Sequence, residues 1–222
     1  WPLQPGRPFR NGEWSNAKSA LLARLRADGY AAAVISGTSA QVDAHEHRVR
    51  LFVVADSGPL YRTGELKIEG LNHHDAQTVR NLAGFDTGTP AREGLLLDYQ
   101  ERLQQAGLFD RAAVTLDPDV STAAATPITV RLHEQALHQA TVALGISADT
   151  GPRTTIQYSN RRPFGYPAIA RVQLGLARSQ QNFDGEISTH PLEKGYRNLV
   201  GATATREDSG TDIVSSISTR LG

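Results

Sequence analysis

The spacing of apolar positions changes once along the chain, near residue 136. Before it, stretches with helical spacing alternate with stretches of period two; after it, period two alone recurs. The first helix is predicted over residues 14–27, where Ala17, Leu21 and Leu25 recur every four residues. Ser15 or Asn11 is placed to cap it, and Gly29 to end it in the left-handed conformation. Strands are predicted at residues 30–42 and 48–55, the second with Val49, Leu51 and Val53 on one face, joined by a polar hairpin turn from Asp43 to His47. A third strand, 64–70, sets Leu66 and Ile68 on one face. Asp75 caps a short helix carrying Val79, Leu82 and Ala83, which Gly84 closes. Thr89 and Pro90 are expected as the cap and first residue of another helix, with Leu96, Tyr99, Leu103 and Ala106 on one face and Gly107 at its end. Strands at 109–116 and 128–132, joined by Asp117-Pro118-Asp119, follow; Tyr99, Leu103 and Phe109 are expected in the core.

This part repeats itself. Leu25-x-x-x-Gly29-Tyr30 matches Leu103-x-x-x-Gly107-Leu108, and each is followed by a strand, an acidic turn (Asp43; Asp117) and a strand. The second copy reads strand, helix, helix, strand, strand. The first lacks its opening strand and helix, so its sheet has too little to bury it, and the natural chain is expected to extend upstream.

Residues 137–222 form about six segments of roughly ten residues, each alternating. In 138–148, Val142, Leu144 and Ile146 oppose Thr141, Gly145 and Ser147. In 153–160, Ile156 and Tyr158 oppose Thr155, Gln157 and Ser159. In 168–178, Val172, Leu174 and Leu176 oppose Arg171 and Gln173. In 182–190, Phe183 and Ile187 oppose Asp184 and Glu186, and 196–206 and 211–221 continue more weakly. One reading is a soluble antiparallel sheet with one wet face. Two features favour a membrane barrel: segments near the roughly 9–11 residues a tilted strand needs to cross a bilayer, and a polar face rich in small residues, as a wet lumen would be. Six strands fall short of the eight with which such barrels begin, so the barrel is expected to be incomplete.

Composition narrows the function. The 222 residues carry 23 basic and 23 acidic groups. Residues 1–136 hold 14 and 16 of these, and residues 137–222 hold 9 and 7, too even a balance for a polyanion-binding arm. Nucleic acid is therefore not expected as a partner. With no Cys there is no disulfide framework, thiolate nucleophile or Cys-based metal site. Met is also missing, which agrees with a chain cut from something longer. No apolar run approaches the 18 or so residues of a spanning helix.

Candidate chemistry is sparse. His45 and His47 would share one side of a strand, but a third metal ligand is not evident and a solvated hairpin is the simpler reading. His73 and His74 precede a helix and read as loop residues. Asp98 and Glu101 read as the wet face of a helix rather than an acid/base pair. No G-x-S-x-G elbow or phosphate loop occurs, and there are only three lysines. No catalytic residue, cofactor or metal is assigned, and no enzymatic activity is expected. The run Arg161-Arg162-Pro163-Phe164-Gly165-Tyr166 is either an aromatic anchor at a membrane interface or a simple turn.

Three stretches carry a resemblance. Ser57-Gly58-Pro59-Leu60-Tyr61-Arg62-x-Gly64-Glu65-x-x-Ile68-x-Gly70-Leu71 resembles the opening of a POTRA domain of the Omp85 superfamily. So does Leu97-x-Tyr99-Gln100-x-x-Leu103-x-x-x-Gly107-x-Phe109-x-x-x-x-Val114. Gly145-Ile146-Ser147-x-Asp149-Thr150-Gly151-Pro152-Arg153 resembles the first barrel hairpin of the TamA branch, with Asp149, Gly151, Pro152 and Arg153 as the hairpin motif.

The resemblance implies α+β POTRA modules of order β-α-α-β-β followed by antiparallel membrane β-barrel strands. Residues 1–57 would be a partial POTRA domain, 58–136 the complete membrane-proximal one, and 137–222 the first six or so strands of a 16-stranded barrel. It implies the outer membrane of a Gram-negative bacterium, with the POTRA part in the periplasm. The function would be to help outer-membrane proteins such as autotransporters insert. Partners would be those client proteins, a periplasm-spanning TamB-like protein and outer-membrane lipid. Related readings are the central barrel-assembly subunit, a two-partner secretion transporter, or, from another class, a soluble periplasmic β-rich binding protein.

Strand pairing is the physics such a function needs. Candidate edges are 109–116, with Phe109, Ala113, Val114 and Thr115, and 30–42. The candidate barrel seam holds Thr141, Val142, Leu144, Gly145, Ile146 and Ser147, and Gly145 and Gly151 are expected to loosen its pairing.

Overall fold

The computed structural model describes residues 2–147, 151–208 and 211–222. Two compact units divide the chain: residues 1–69, 85–101 and 113–131 in one, and 70–84, 102–112 and 132–222 in the other. The hairpin residue Asp149 lies outside the described residues.

In the first unit, α1 (Asn11–Ala27) buries Trp14 and Ala17. It begins earlier than its apolar stripe suggests, so Asn11 and Ser15 lie inside it, and Arg10 stands at the cap position with no side-chain hydrogen bond. Glu13 in the first turn and Arg24 and Arg26 in the last suit the helix dipole. Gly29 follows at φ +104°. Strands β1 (Val34–Asp43) and β2 (Arg48–Asp56) form an antiparallel pair with a register shift between Ile35 and Gly37. Their turn is held by Asp43, whose Oδ1 accepts from the His45 and Glu46 N–H groups at 3.0 Å each.

Strand β3 (Thr63–Glu69) follows, then α2 (Ala76–Asn81), α3 (Glu93–Gln105), β4 (Phe109–Leu116) and β5 (Thr126–Glu134), the order read from the sequence. The three strands form one sheet in the order β3-β5-β4, with β3 parallel to β5. Tyr61 is fully buried and donates its hydroxyl to the Pro118 carbonyl at 2.8 Å. Gly64 is required by close approach: a Cβ there would lie 2.5 Å from the Ala125 carbonyl oxygen.

Two expectations fail here. Thr89 and Pro90 do not open a helix. The Thr63 N–H donates to the Thr89 carbonyl at 2.8 Å, the Ala91 N–H to the Tyr61 carbonyl at 2.9 Å, and Arg62 bridges Pro90. These pairings hold the segment extended, and α3 starts at Glu93. The connection after β4 is also more than a turn, because Asp119 caps a 3-10 turn (Val120–Ala125) through Ser121 N–H at 2.9 Å.

In the second unit, Arg102 of α3 donates to the Leu82 carbonyl at 2.8 Å and also to the Ala83 carbonyl, so it satisfies the end of α2. Asp75 precedes α2 but makes no capping hydrogen bond. Leu103, Ala106, Leu108 and Phe109 are buried. A Cβ on Gly70, which sits at φ +89°, would lie 2.0 Å from the Leu132 carbonyl oxygen.

The rest of this unit is a six-stranded antiparallel sheet: β6 (His138–Ser147), β7 (Gly151–Asn160), β8 (Ala168–Ala177), β9 (Gln180–Thr189), β10 (Leu199–Asp208) and β11 (Ile213–Leu221). Neighbours pair in chain order, and β6 and β11 are the outer strands, so the sheet is not closed. The register stacks like with like. Val142, Ile156, Leu174, Phe183, Ala204 and Ile217 lie across from one another in one row, and Thr141, Gln157, Gln173, Asp184, Thr203 and Ser218 in the next. Because side chains alternate faces, one side of the sheet is apolar and the other polar. The apolar side is uncovered: Val142 is 63% exposed, Leu144 80%, Ile146 88% and Ile217 81%. The polar side is tied together by Gln157 with Gln173 at 3.0 Å, and by Arg171 with Glu186 at 3.3 Å.

Candidate functional site

The candidate pairing residues fall on three strands, each at the edge of its sheet. Strand β4 is an outer strand of its three-stranded sheet. Phe109 at its start is buried in the core, Val114 is half-buried, and Ala113 and Thr115 are exposed. This edge is partly occupied. The Val114 N–H donates to Gln100 Oε1 at 3.1 Å, and Gln104 Nε2 donates to the Ala112 carbonyl at 3.4 Å. Residues 112 and 114 have the same strand parity, so their backbone groups point the same way. Two glutamines of α3 therefore hold groups that an added strand would use, one of the ways edges are blunted. The other candidate, residues 30–42, is realised as β1 from Val34 onward, which pairs with β2.

Strand β6 ends the six-stranded sheet, and its Val142, Leu144 and Ile146 lie on the exposed apolar face. Thr141 belongs to the polar row. The expected loosening at glycine is not seen on the β7 side. Pairing runs without a shift from His138 opposite Asn160 to Ser147 opposite Gly151, with Gly145 opposite Arg153 and Ile146 opposite Pro152. A Cβ on Gly145 would meet Arg153 at an ordinary 3.7 Å, so glycine is not sterically required there. Gly151 turns at φ +70° where β7 begins.

A third feature was not read from the sequence: a buried polar joint in the second unit. Arg161, only 8% exposed, follows β7 and donates in three directions. Its Nε reaches the Gly107 carbonyl at 2.8 Å, Nη1 the Ala136 carbonyl at 2.8 Å and Nη2 the Gln139 side chain at 3.1 Å. Arg197, between β9 and β10, donates to the Ala106 carbonyl at 2.9 Å. Both cations thus meet carbonyls just past the C-terminal end of α3, where the helix dipole is negative. Burial lowers the pKa of both guanidinium groups below the usual value.

Two histidines lie beside these arginines. His190 places Nε2 2.8 Å from the Arg161 carbonyl, which fixes that nitrogen as the donor. The His74 and His190 rings meet edge to face at 5.1 Å, and His74 meets Phe109 at 5.9 Å. Both imidazoles are buried, and neither His74 ring nitrogen nor His190 Nδ1 has a hydrogen-bond partner. Burial, against an opposing pull from Glu134, pushes the His74 pKa down to about 4. Burial likewise lowers that of His190, against the Arg161 and Ala168 backbone. Glu134 accepts from the N–H groups of Asn72 at 3.1 Å, His73 at 2.9 Å and His74 at 2.8 Å. Burial pushes its carboxyl up, but these bonds outweigh it and leave the pKa below the ordinary carboxylate range. Asp75, at the N-cap position of α2 without a side-chain capping bond, pairs with Arg162 at 3.5 Å, and Asn81 donates to the Pro191 carbonyl at 3.0 Å.

In sequence, His73–His74 read as loop and Arg161–Tyr166 as a connection. The one available signal was an arginine immediately after a strand end, where Gly, Asn or Asp would serve a plain turn better. Phe164 and Tyr166 of that connection are 98% and 69% exposed. Among the described residues, no group of three or more His, Asp or Glu is placed to hold a metal ion, and His45 and His47 sit exposed in their turn.

An α/β part is followed in the chain by a sheet of antiparallel strands of about ten residues, apolar on one face and polar on the other, and solved structures share this fold. The BamA of Haemophilus ducreyi lacking POTRA domains 1–3 matches 99% of this chain with a TM-score of 0.74 at 14% identity. CdiB from Acinetobacter baumannii matches 96% with a TM-score of 0.51 at 15% identity, and CdiB from Escherichia coli 94% with 0.52 at 14%. The chain spans less than half of these structures: 43%, 41% and 39% of them, respectively. No family model matches the chain. The fold is therefore shared with BamA and CdiB.

Proposed function

We propose that this chain belongs to an outer-membrane assembly factor of the Omp85 superfamily, with POTRA-type modules in the periplasm and strands β6–β11 forming the start of a membrane barrel. The boundaries proposed are 1–57 for a partial POTRA domain, 58–136 for the membrane-proximal one and 137–222 for the barrel strands. The work is non-covalent. Client β-barrel proteins, autotransporters among them, would be aligned by pairing along β4 and along the β6 seam, with a TamB-like partner and outer-membrane lipid completing the system. The 145–153 hairpin supports a TamA-like assignment within the superfamily. The TM-score of 0.74 supports a BamA-like central subunit as the second reading.

The observation that carries the proposal is the pair of stacked rows in the six-stranded sheet. Burying a Leu or Ile side chain is worth about 1.5–3 kcal/mol, and this face leaves Val142, Leu144, Ile146, Ile217 and Leu221 between 63% and 88% exposed. Lipid supplies the apolar surroundings, and the opposite polar face suits a wet lumen. Nitroxides placed singly along β7 and β8 in vesicles of the full protein test this. Sites at Ile156 and Leu174 should be relaxed by oxygen, which concentrates in lipid, and sites at Gln157 and Gln173 by an aqueous nickel chelate. Equal access to the nickel chelate at all four sites would overturn the membrane reading.

A further inference from the structure

The polar joint touches the start of β4 at Phe109 and the start of β6 at Gln139, but nothing in the proposed client handling uses it. Its parts come from three directions. The connection 161–167 brings Arg161 and Arg162, the connection 190–198 brings His190, Pro191 and Arg197, and the helical part brings His74, Asp75, Asn81 and the end of α3. We propose that this joint is an acid-opened clamp: Arg161 and Arg197 hold the C-terminal end of α3 against the two strand connections, and the neutral His74–His190 pair keeps them in place until it is protonated.

The geometry supports each half. Three of the four arginine bonds go to backbone carbonyls and the fourth to a Gln side chain, so none of the bonds that hold the clamp shut uses a carboxylate. The groups facing the histidines are of mixed sign. Glu134 on β5 favours protonation of His74, and Asp75 with the Arg161 and Ala168 backbone that of His190; Arg162 opposes both, and His190 and His73 oppose that of His74. Glu134 is already committed to three backbone N–H groups. A proton on either ring places a charge in a buried space near Arg162, with Phe109 against His74, and the least costly response is to separate the rings and hydrate them.

The sign follows. A histidine whose pKa is lower in the closed state binds fewer protons there than in the open state, so closure is favoured above the ordinary histidine pKa near 6.5 and is lost as pH falls toward about 4. For His74 alone this amounts to a shift of up to about thirtyfold in the open-to-closed ratio between about pH 7.5 and about pH 5.

The chain contains no Cys, so single cysteines report locally. Ala106, 1% exposed at the clamp, becomes the probe as Ala106→Cys, and the exposed Asp98, as Asp98→Cys, corrects for reagent chemistry. The labelling ratio of the two, in detergent micelles of the full protein, should rise between about pH 6.5 and about pH 4.5. His74→Phe/His190→Gln, which keeps an aromatic ring and an N–H donor, should flatten the profile, and Arg161→Gln should raise labelling already at about pH 7.5. A flat profile in the otherwise unchanged protein, or the same acid rise in the double variant, overturns the clamp. Should the double variant not fold, the midpoint decides: below about pH 4 the opening lies outside the histidine window, and the proposal fails.

Discussion

Gly70 and Gln100 show how single residues set what the sheet edges can do. Gly70 combines φ +89° with a virtual Cβ 2.0 Å from the Leu132 carbonyl. Gly70→Ala is expected to destabilise by about 2 kcal/mol or more, since both the backbone conformation and the approach of β5 are lost. A urea titration of the purified protein checks this, and a change below about 0.5 kcal/mol would contradict it. Gln100 acts in the other direction. Gln100→Ala removes one hydrogen bond, at about 0.5–1.5 kcal/mol, and frees the Val114 N–H. Photo-crosslinking from position 113 to an extended client peptide should rise severalfold in that variant. An unchanged yield would mean that β4 is not a pairing edge. Neither role was visible in sequence. Gln100 stands in a helix whose period marked only its apolar face, and Gly70 read as part of a motif without showing which backbone it admits.

At the scale of elements, periodicity did most where burial is one-sided. Tyr99, Leu103 and Phe109 read as core residues in the sequence, the first two from their helical spacing, and all three are buried. The six alternating segments became β6–β11 with bounds shifted by a few residues. Local rules failed where tertiary pairing supplied the hydrogen bonds instead. Thr89 and Pro90 have the chemistry of a helix start, yet the extended pairing with Tyr61 and Thr63 takes their backbone. Asp75 has the chemistry of a cap, yet its carboxylate faces Arg162. The face assignment of β6 carries its own prediction. Leu144→Arg should block insertion of the protein into vesicles, at about 2–4 kcal/mol for a charge near the bilayer midplane, while Thr141→Arg on the polar face should insert normally. Protease protection after reconstitution distinguishes them, and equal insertion of both variants would contradict the two-faced reading.

At the scale of the whole molecule, the proposed function joins an α/β part that presents an edge with a sheet whose first strand is unpaired on one side. The sequence made the two kinds of part legible through the change in hydrophobic period. The joint stayed hidden because buried arginines and histidines are written with the same letters as solvated ones, and only the fold brings positions 74, 134, 161, 190 and 197 together. The central claim is that β6 templates client strands. Its most direct test is site-specific crosslinking, in cells, from single cysteines along residues 138–147 of the full-length protein to an outer-membrane protein stalled during insertion. Crosslinks should form along β6 in a register that advances by one client residue per position, with matching positions on the middle of the β8 strand silent. No crosslink anywhere on β6 would contradict the account.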